Sequence, residues 1–281
     1  MTFYEELRRE GEEAADPYVE VTRREHSAVV TLSDPERLNV LSAPLVVQTK
    51  QAIAELAADP QIRSVVLTGA GRGFCAGGDL QMMRRAEDVL GEDEDGDATD
   101  IWQWIRHEFG GVARLIARSD TAFVAAINGP AAGVGLAWAL TCDVAIASQR
   151  ATLVPAFGRL GLVPEVGSSW ALTRRLGYQG AFAFFAGGRP VPADEALRLG
   201  LVQEVVAHDD LPAAADRWCA RIAAMPAHAV RMAKVLLRAA ADSSWDGAIA
   251  MEEFAEPNCF TTAAFQGVVR DLAEHGPAGR T

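Results

Sequence analysis

Hydrophobic positions along this chain follow two spacings, which predict strands and helices in turn. Short apolar runs rich in β-branched residues predict strands at 18–24, 27–32, 62–69, 121–128, 143–148 and 201–206. Apolar residues at helical spacing predict helices between them at 43–59, 81–90 and 101–118. From residue 211 onward nearly every segment is helical in pattern. Strands that alternate with helices over the first two thirds, followed by a helical last third, place the chain in the α/β class.

Capping residues, glycines and prolines indicate where several of the predicted helices begin and end. Ser42 and Pro44 occupy the N-cap and an early position of the helix that ends before Pro60, and Asp79 is a candidate cap for the helix at 81–90. The polar first helix, 3–15, is predicted to lie at the periphery. Residues 169–200 are predicted to form short helices interrupted by glycine and proline.

Composition narrows the classes of partner. The 281 residues include 49% hydrophobic and 23% charged residues, an ordinary globular balance. A net charge of −12 argues against nucleic acid and anionic membranes as partners, although an anionic ligand needs only a local basic patch. The charged first residues do not resemble a signal peptide, and no 18-residue apolar run predicts a membrane span. We therefore expect a soluble, cytoplasmic protein.

The cysteines, histidines and one acidic segment give no sign of a metal site. The four cysteines form no C-x-x-C pair and three lie in apolar stretches, which favours buried free thiols over disulfides. The five histidines are dispersed, so no metal is expected. Residues 91–100 hold six acidic residues in ten, but they do not match the register of a calcium loop. A solvated loop is predicted there.

Two glycine-rich turns, each between a buried strand and a helix, are the main candidates for chemistry. The first contains Gly71-x-Gly73-x-x-Ala76, and the second contains Gly129-x-x-x-Gly133-x-Gly135. The first lacks the downstream acidic residue of a dinucleotide site, and the second lacks the lysine of a phosphate-binding loop. Two such turns side by side could aim two amide N–H groups at one developing oxyanion. Alternatively, the glycines of either turn serve only close packing or a positive φ.

Five segments together resemble the crotonase (enoyl-CoA hydratase/isomerase) superfamily over about residues 18–270. They are SDPERLNVLS, GRGFCAGGDL, INGPAAGVGLAWALTCDVAIAS, FGRLGLVPEVGSSWALTRRLG and ADEALRLGLVQEVV. The resemblance implies a spiral of ββα units with two roughly perpendicular sheets. It also implies an N-terminal helical extension at 1–16, an acyl-CoA-binding core at 17–207 and a helical oligomerisation region at 208–281. A homotrimer or dimer of trimers is expected, with the CoA thioester as substrate and no separate cofactor.

The same resemblance assigns the site. The backbone N–H groups of Ala76 and Val134 would hold the thioester oxygen, while Asp79 and Asp143 are structural, as a helix cap and a buried hydrogen-bonding group. Arg37 is a candidate neighbour of the CoA phosphate or adenine, with a solvated position as the alternative. By their position on or beside the helices after the first turn, Met82, Met83, Trp102 and Trp104 could line a flexible acyl pocket or equally belong to the core. The candidate binding residues are Arg37, Leu38, Val40, Gly77, Asp79, Leu80, Met83, Gly133, Phe157 and Pro164.

The reaction depends on carboxylates. Hydratases of the family use two glutamates, and this chain has Ala137 and Phe157 in their places. One acid, Glu165, remains in an apolar stretch, where desolvation would raise its pKa and make it a base. It would move a proton from the α- to the γ-carbon of a 3-enoyl-CoA, or it would merely cap the next helix. An atypical hydratase and a non-catalytic acyl-CoA binder remain the alternatives.

Overall fold

The computed structural model describes residues 1–92 and 98–275, and its strands form two sheets. A six-stranded sheet has the order β1-β2-β3-β4-β6-β9, and a three-stranded sheet has the order β5-β7-β8. The strands are β1 (Val19–Arg23), β2 (Ser27–Leu32), β3 (Ser64–Gly69), β4 (Ala122–Ile127), β5 (Pro130–Ala132), β6 (Val144–Ser148), β7 (Thr152–Val154), β8 (Val191–Pro192) and β9 (Glu204–Val206).

Helices connect these strands and form the end of the described chain. They are α1 (Phe3–Glu13), α2 (Ala43–Ala58), α3 (Leu80–Glu92), α4 (Thr99–Trp104), α5 (Gly110–Arg118), α6 (Gly133–Thr141), α7 (Ser168–Gly187), α8 (Ala193–Arg198), α9 (Leu211–Ala224), α10 (Ala227–Ala240), α11 (Trp245–Phe260) and α12 (Ala263–His275). A π-helical turn at Ile105–Phe109 joins α4 to α5, so the predicted helix at 101–118 is present as three consecutive pieces.

The central strands explain where the site forms. Every residue of β4 is buried, and so are the first four of β3, because parallel strands in this sheet are covered on both faces. Val66 of β3 pairs with Val124 of β4 in parallel register. The carboxyl ends of two neighbouring parallel strands therefore emerge together, and so do the glycine turns that follow them.

The predicted α/β class, two sheets and helical C-terminal part are confirmed. The short strands β5, β7 and β8 were not predicted, because two or three residues are too few to show a period. The last predicted strand, 201–206, is reduced to Glu204–Val206. Within 169–200, α7 is interrupted at Gly177, whose φ of 68° is not helical, and the short α8 follows Pro192, so the predicted short helices interrupted by glycine and proline are confirmed. Ser42 is the N-cap of α2 as predicted, although its side chain makes no cap hydrogen bond.

The first helix, predicted to lie at the periphery, keeps most of its residues exposed but packs one face onto the core. Phe3 and Leu7 of α1 are buried, and Gly11 packs so closely on Val47 of α2 that a β-carbon there would lie 2.5 Å from the valine side chain. The main-chain N–H of Phe3 also donates to the Asp100 carboxylate at 2.8 Å. The helix is therefore part of the folded core.

The chain divides into two compact units, one comprising Met1–Cys219 and one beginning at Ala220. The acidic segment at 91–100, predicted as a solvated loop, lies largely outside the described residues, between Glu92 at the end of α3 and Ala98. All four cysteines are free thiols, and Cys75, Cys142 and Cys219 are buried as predicted. No helix of the described chain is long and apolar enough to cross a membrane.

Candidate active site

The two glycine turns are in contact. A β-carbon on Gly77 would lie 2.9 Å from the main-chain oxygen of Ala132, and one on Gly135 would lie 2.6 Å from the Cys75 side chain. Cys75 and Ala131 form a parallel bridge, in which the Ala132 N–H donates to the Cys75 oxygen at 2.9 Å. The glycines thus serve close packing and, at Gly77 with φ of 91°, a backbone conformation that suits glycine. Both turns consequently end at one place.

Two buried asparagines that sequence reasoning did not select hold the first turn. The Asn39 side-chain amide donates to the main-chain oxygens of Ala70, Gly73 and Phe74, at 3.0, 2.8 and 3.3 Å. The Asn128 amide donates to the oxygens of Gly71 and Gly73, at 3.0 and 3.1 Å. These hydrogen bonds satisfy the carbonyls of an irregular loop that would otherwise be buried without partners.

The predicted amide donor of the first turn is misplaced by two residues. The Ala76 N–H already donates to the Leu38 oxygen at 2.9 Å, so it is not available to a substrate. Gly78 lies opposite Leu41 in a parallel bridge made by the backbone of Leu41, whose N–H donates to the Gly77 oxygen at 2.8 Å. In a parallel bridge of this kind, the backbone N–H of the residue opposite Leu41, which is Gly78, points away from Leu41. Gly78, rather than Ala76, therefore presents the open amide.

The second predicted donor, Val134, has an open main-chain amide. Val134 is the second residue of α6, where helical N–H groups have no partner within the helix. Among the residues that the structure describes, no acceptor bonds the N–H of Val134 or of Gly78. The positive end of the α6 dipole adds to the attraction of this turn for an oxyanion.

Asp79 caps α3 as predicted, and it also holds Arg37. One Asp79 oxygen accepts from the Gln81 N–H at 2.9 Å, and the other accepts from the Arg37 guanidinium at 2.8 Å. Arg37, whose side chain is 43% exposed, thus forms an ion pair with Asp79 and is not a free solvated arginine. The cap begins α3 directly after Gly78, with Leu80 exposed and the Met83 methyl group packed against Gly78. The pair Arg37–Asp79 fixes the position of the first donor.

The two positions at which the resemblance predicts hydratase glutamates are buried and apolar here. Ala137 is fully buried in α6, and Phe157 is 3% exposed. The Phe157 ring lies 3.9 Å from the place of a β-carbon on Gly133, a residue with φ of 51° at the start of α6. Phe157 therefore forms a wall beside the second donor and offers no group that can activate water.

Between Phe157 and Glu165 the chain forms a 3-10 turn at Gly158–Leu160 and then an irregular segment, in which Pro164 and Glu165 are half-buried. Burial raises the pKa of its carboxyl group from 4.5 to about 7. No described side chain or amide bonds that carboxylate. The alternative role as a helix cap is not observed, since the N-cap residue of α7 is Gly167 and no side chain caps the helix.

The backbone around Glu165 is tightly specified. Both the amide and the hydroxyl of the buried Ser168 donate to the Glu165 main-chain oxygen, at 3.0 and 2.7 Å. Val166 adopts φ of 56°, which is rare for a β-branched residue and stores strain. Strain of this kind persists only where the surrounding structure holds it, so the Glu165 carboxyl is held on a defined turn.

The other residues predicted for the site differ in burial and in contacts. Asp143 accepts from the Phe123 N–H at 2.8 Å, but it is exposed and not buried as expected. Trp104 and Met82 are buried in the core, whereas Trp102 is 54% exposed. Leu38, whose carbonyl occupies the Ala76 amide, and Val40 are half-buried in the loop before α2. No group of three or more metal-ligating side chains occurs within the described ranges.

Two contacting glycine turns that present open main-chain amides suit an acyl-thioester enzyme, and comparison with known proteins agrees. A family model described as enoyl-CoA hydratase/isomerase matches residues 22–277. The chain belongs to this family, the crotonase superfamily. It is 30% identical to 1,2-epoxyphenylacetyl-CoA isomerase of Escherichia coli (strain K12), over 88% of this chain and 92% of that protein.

Other relatives carry other reactions in their names. The chain is 32% identical to 4-chlorobenzoyl coenzyme A dehalogenase-2 of an Arthrobacter species, over 76% of this chain and 75% of that protein. The crystal structure of an enoyl-CoA hydratase of Mycobacterium smegmatis superimposes with a TM-score of 0.82 at 27% identity, covering 92% of this chain and 97% of the other. The family is therefore shown, and its members differ in reaction.

Proposed function

We propose that this chain isomerises an enoyl-CoA by moving a proton between the α- and γ-carbons, with Glu165 as its one acid–base group. The observation that carries the proposal is the half-buried Glu165 carboxyl group, whose pKa is raised to about 7 and which has no described partner. A general base is most effective when its pKa lies near the working pH, because it is then both ionised and basic. Glu165 meets that condition without any second carboxylate.

The proton shuttle runs in two balanced steps. The Glu165 carboxylate takes the α-proton of a 3-enoyl-CoA, and the electron pair delocalises onto the thioester oxygen as a dienolate. The N–H groups of Gly78 and Val134 donate to that oxygen and stabilise the charge. The protonated Glu165 then returns the proton to the γ-carbon, which leaves a 2-enoyl-CoA. Acid and base act in sequence, so one carboxyl group suffices.

Two observations favour isomerisation over the addition of water. Ala137 and Phe157, at the positions of the two hydratase glutamates, are buried and hold no titratable group. Two of the relatives are named as an isomerase and a dehalogenase, so the family accommodates reactions other than hydration. The substrate is proposed to be a CoA thioester that needs no additional cofactor.

Paired assays test the proposal. Wild-type protein, Glu165→Gln and the exposed control Glu13→Gln are assayed with 3-enoyl-CoA for isomerisation and with 2-enoyl-CoA for hydration. We expect Glu165→Gln to lower kcat for isomerisation by about 10³-fold, the usual contribution of general acid–base catalysis. Affinity for the thioester should remain, since the donors are main-chain groups.

The other outcomes point to the alternatives. Hydration at equal rates by wild type and Glu165→Gln would show an atypical hydratase. Tight binding of CoA thioesters by all three proteins without turnover would show a non-catalytic binder. Either result rejects the isomerase assignment.

We also propose that the chain assembles into a homotrimer or a dimer of trimers. In the unit that begins at Ala220, large apolar side chains are exposed, including Leu237 at 73%, Trp245 at 75% and Phe254 at 82%. Contiguous exposed apolar surface marks protein interfaces in soluble proteins. Sedimentation of wild type and of Phe254→Glu tests the proposal. A wild-type mass equal to one chain would reject it.

A further inference from the structure

A cavity lies away from the glycine turns, among three helices of the first unit. It has a volume of about 750 Å³, which is within the range of small-molecule sites. Helix α1 contributes one wall, α2 a second, and the π-helical turn with α5 a third. The charged residues that line it are Arg8, Glu12, Lys50, Glu108, Arg114 and Arg118.

The carboxylates of this cavity are already neutralised. Glu108, almost fully buried, accepts from Lys50 Nζ at 3.0 Å and from the Tyr4 hydroxyl at 3.1 Å, and Arg8 Nε lies 4.0 Å away. Glu12 pairs with Arg8. These contacts tie α1 and α2 to the start of α5. They leave no carboxylate of the cavity for its two other arginines.

Arg114 and Arg118 are one helical turn apart, on the same face of α5. Among the residues that the structure describes, neither forms a salt bridge, and the Arg114 guanidinium donates only to the main-chain oxygen of Arg106. Burial and the neighbouring charges of Arg106 and Arg118 lower the Arg114 pKa. The helix dipole stabilises Arg118 in the last turn, but it does not account for the clustering of three guanidinium groups.

We propose that this cavity binds a phosphate group carried by a small molecule, with Arg114 and Arg118 as its main ligands. Four permanent cations face the cavity against two carboxylates, on a chain whose net charge is −12. Adjacent guanidinium groups present forked donors that match the oxygens of a phosphate. The volume and the charged lining of this open cavity suit a small anionic ligand. Binding would also clamp α1, because Arg8 and Lys50 lie in the same cavity.

Calorimetry with defined probes tests this inference independently of the isomerase proposal. Inorganic phosphate, pyrophosphate, ADP and adenosine are titrated into wild type and into the double variant Arg114→Gln/Arg118→Gln. Both arginines are exposed, so the variant should fold. A double variant at exposed arginines elsewhere, Arg9→Gln/Arg198→Gln, has the same net charge and serves as the control.

We expect wild type and control to bind pyrophosphate alike, and the cavity variant to bind it at least about tenfold more weakly, since two charge-assisted contacts are lost. Affinity should fall as salt rises, and adenosine should not bind. Tighter binding of ADP than of pyrophosphate would indicate a nucleotide, and equal binding would indicate free polyphosphate. Equal affinity of wild type and cavity variant, or no binding at about 10 mM probe, overturns the proposal.

Discussion

The side-chain amide of Asn39 donates to the main-chain oxygen of Gly73 at 2.8 Å, and Asn128 donates to the same oxygen at 3.1 Å. The first glycine turn is therefore shaped from both sides by polar side chains of other segments. Asn39 itself adopts φ of 55°, a conformation that asparagine tolerates better than most residues. Its backbone conformation and its three acceptors both favour asparagine at this position.

Replacing Asn39 should be costly. We expect Asn39→Ala to lower the free energy of unfolding by about 3 kcal/mol, because buried carbonyl oxygens lose their donors and alanine is strained at positive φ. Urea denaturation measures the change. Asn258→Ala, which removes a single exposed hydrogen bond to the Phe254 oxygen, should change it by less than about 0.5 kcal/mol. Equal effects of the two substitutions would contradict the structural role of Asn39.

The Glu165 pKa predicts how activity depends on pH. The proposed base must be ionised to accept the α-proton, and burial raises its pKa to about 7. We therefore expect kcat/KM for isomerisation to rise with pH through a single ionisation near 7 and then to level off. The residual rate of Glu165→Gln should lack this step. A wild-type profile that is flat from about pH 5 to pH 8 would exclude Glu165 as the base.

The same shift has a consequence for stability. Because the folded-state pKa is raised from 4.5 to about 7, the folded protein holds this proton more tightly than the unfolded chain does. Glu165 thus becomes increasingly unfavourable to folding as pH rises from about 4.5 to about 7, and the full cost remains above that range. After allowance for partial solvent contact, Glu165→Gln should exceed wild type in stability by about 2 kcal/mol at pH 8.

The pH dependence of that difference is the control. Near pH 4 the Glu165 carboxyl group is mostly protonated in both the folded and the unfolded state, so the charge-dependent difference between wild type and Glu165→Gln should nearly vanish. Urea denaturation at both pH values measures it. A difference that stays constant with pH would mean that the glutamine acts through packing rather than through charge.

Gly77 should tolerate no side chain. Its φ is 91°, and a β-carbon would lie 2.9 Å from the Ala132 oxygen, a main-chain atom of the other turn. We expect Gly77→Ala to lower the free energy of unfolding by about 3 kcal/mol and to lower kcat, because the two turns must separate. Gly267→Ala in α12 meets no atom within 4 Å and should be neutral or stabilising by up to about 1 kcal/mol.

The sequence was informative where local pattern decides structure. The strands at 27–32, 62–69 and 121–128 were predicted because apolar β-branched runs report buried strands directly. The role of Ala76 was assigned incorrectly, because the carbonyl that occupies its amide belongs to Leu38, far away in the chain. The role of Asn128 was missed for the same reason: its acceptor on Gly73 is 55 residues away. Periodicity does not show contacts of this kind.

Packing at Ala137 and Phe157 limits how this protein could change its chemistry. Glutamates at these two positions would place ionisable groups among closely packed apolar side chains that have almost no contact with solvent. Their introduction would enlarge one crowded side chain and leave a void at the other. Two substitutions alone would therefore not install a working pair of glutamates, which would require rebuilding the surrounding interior.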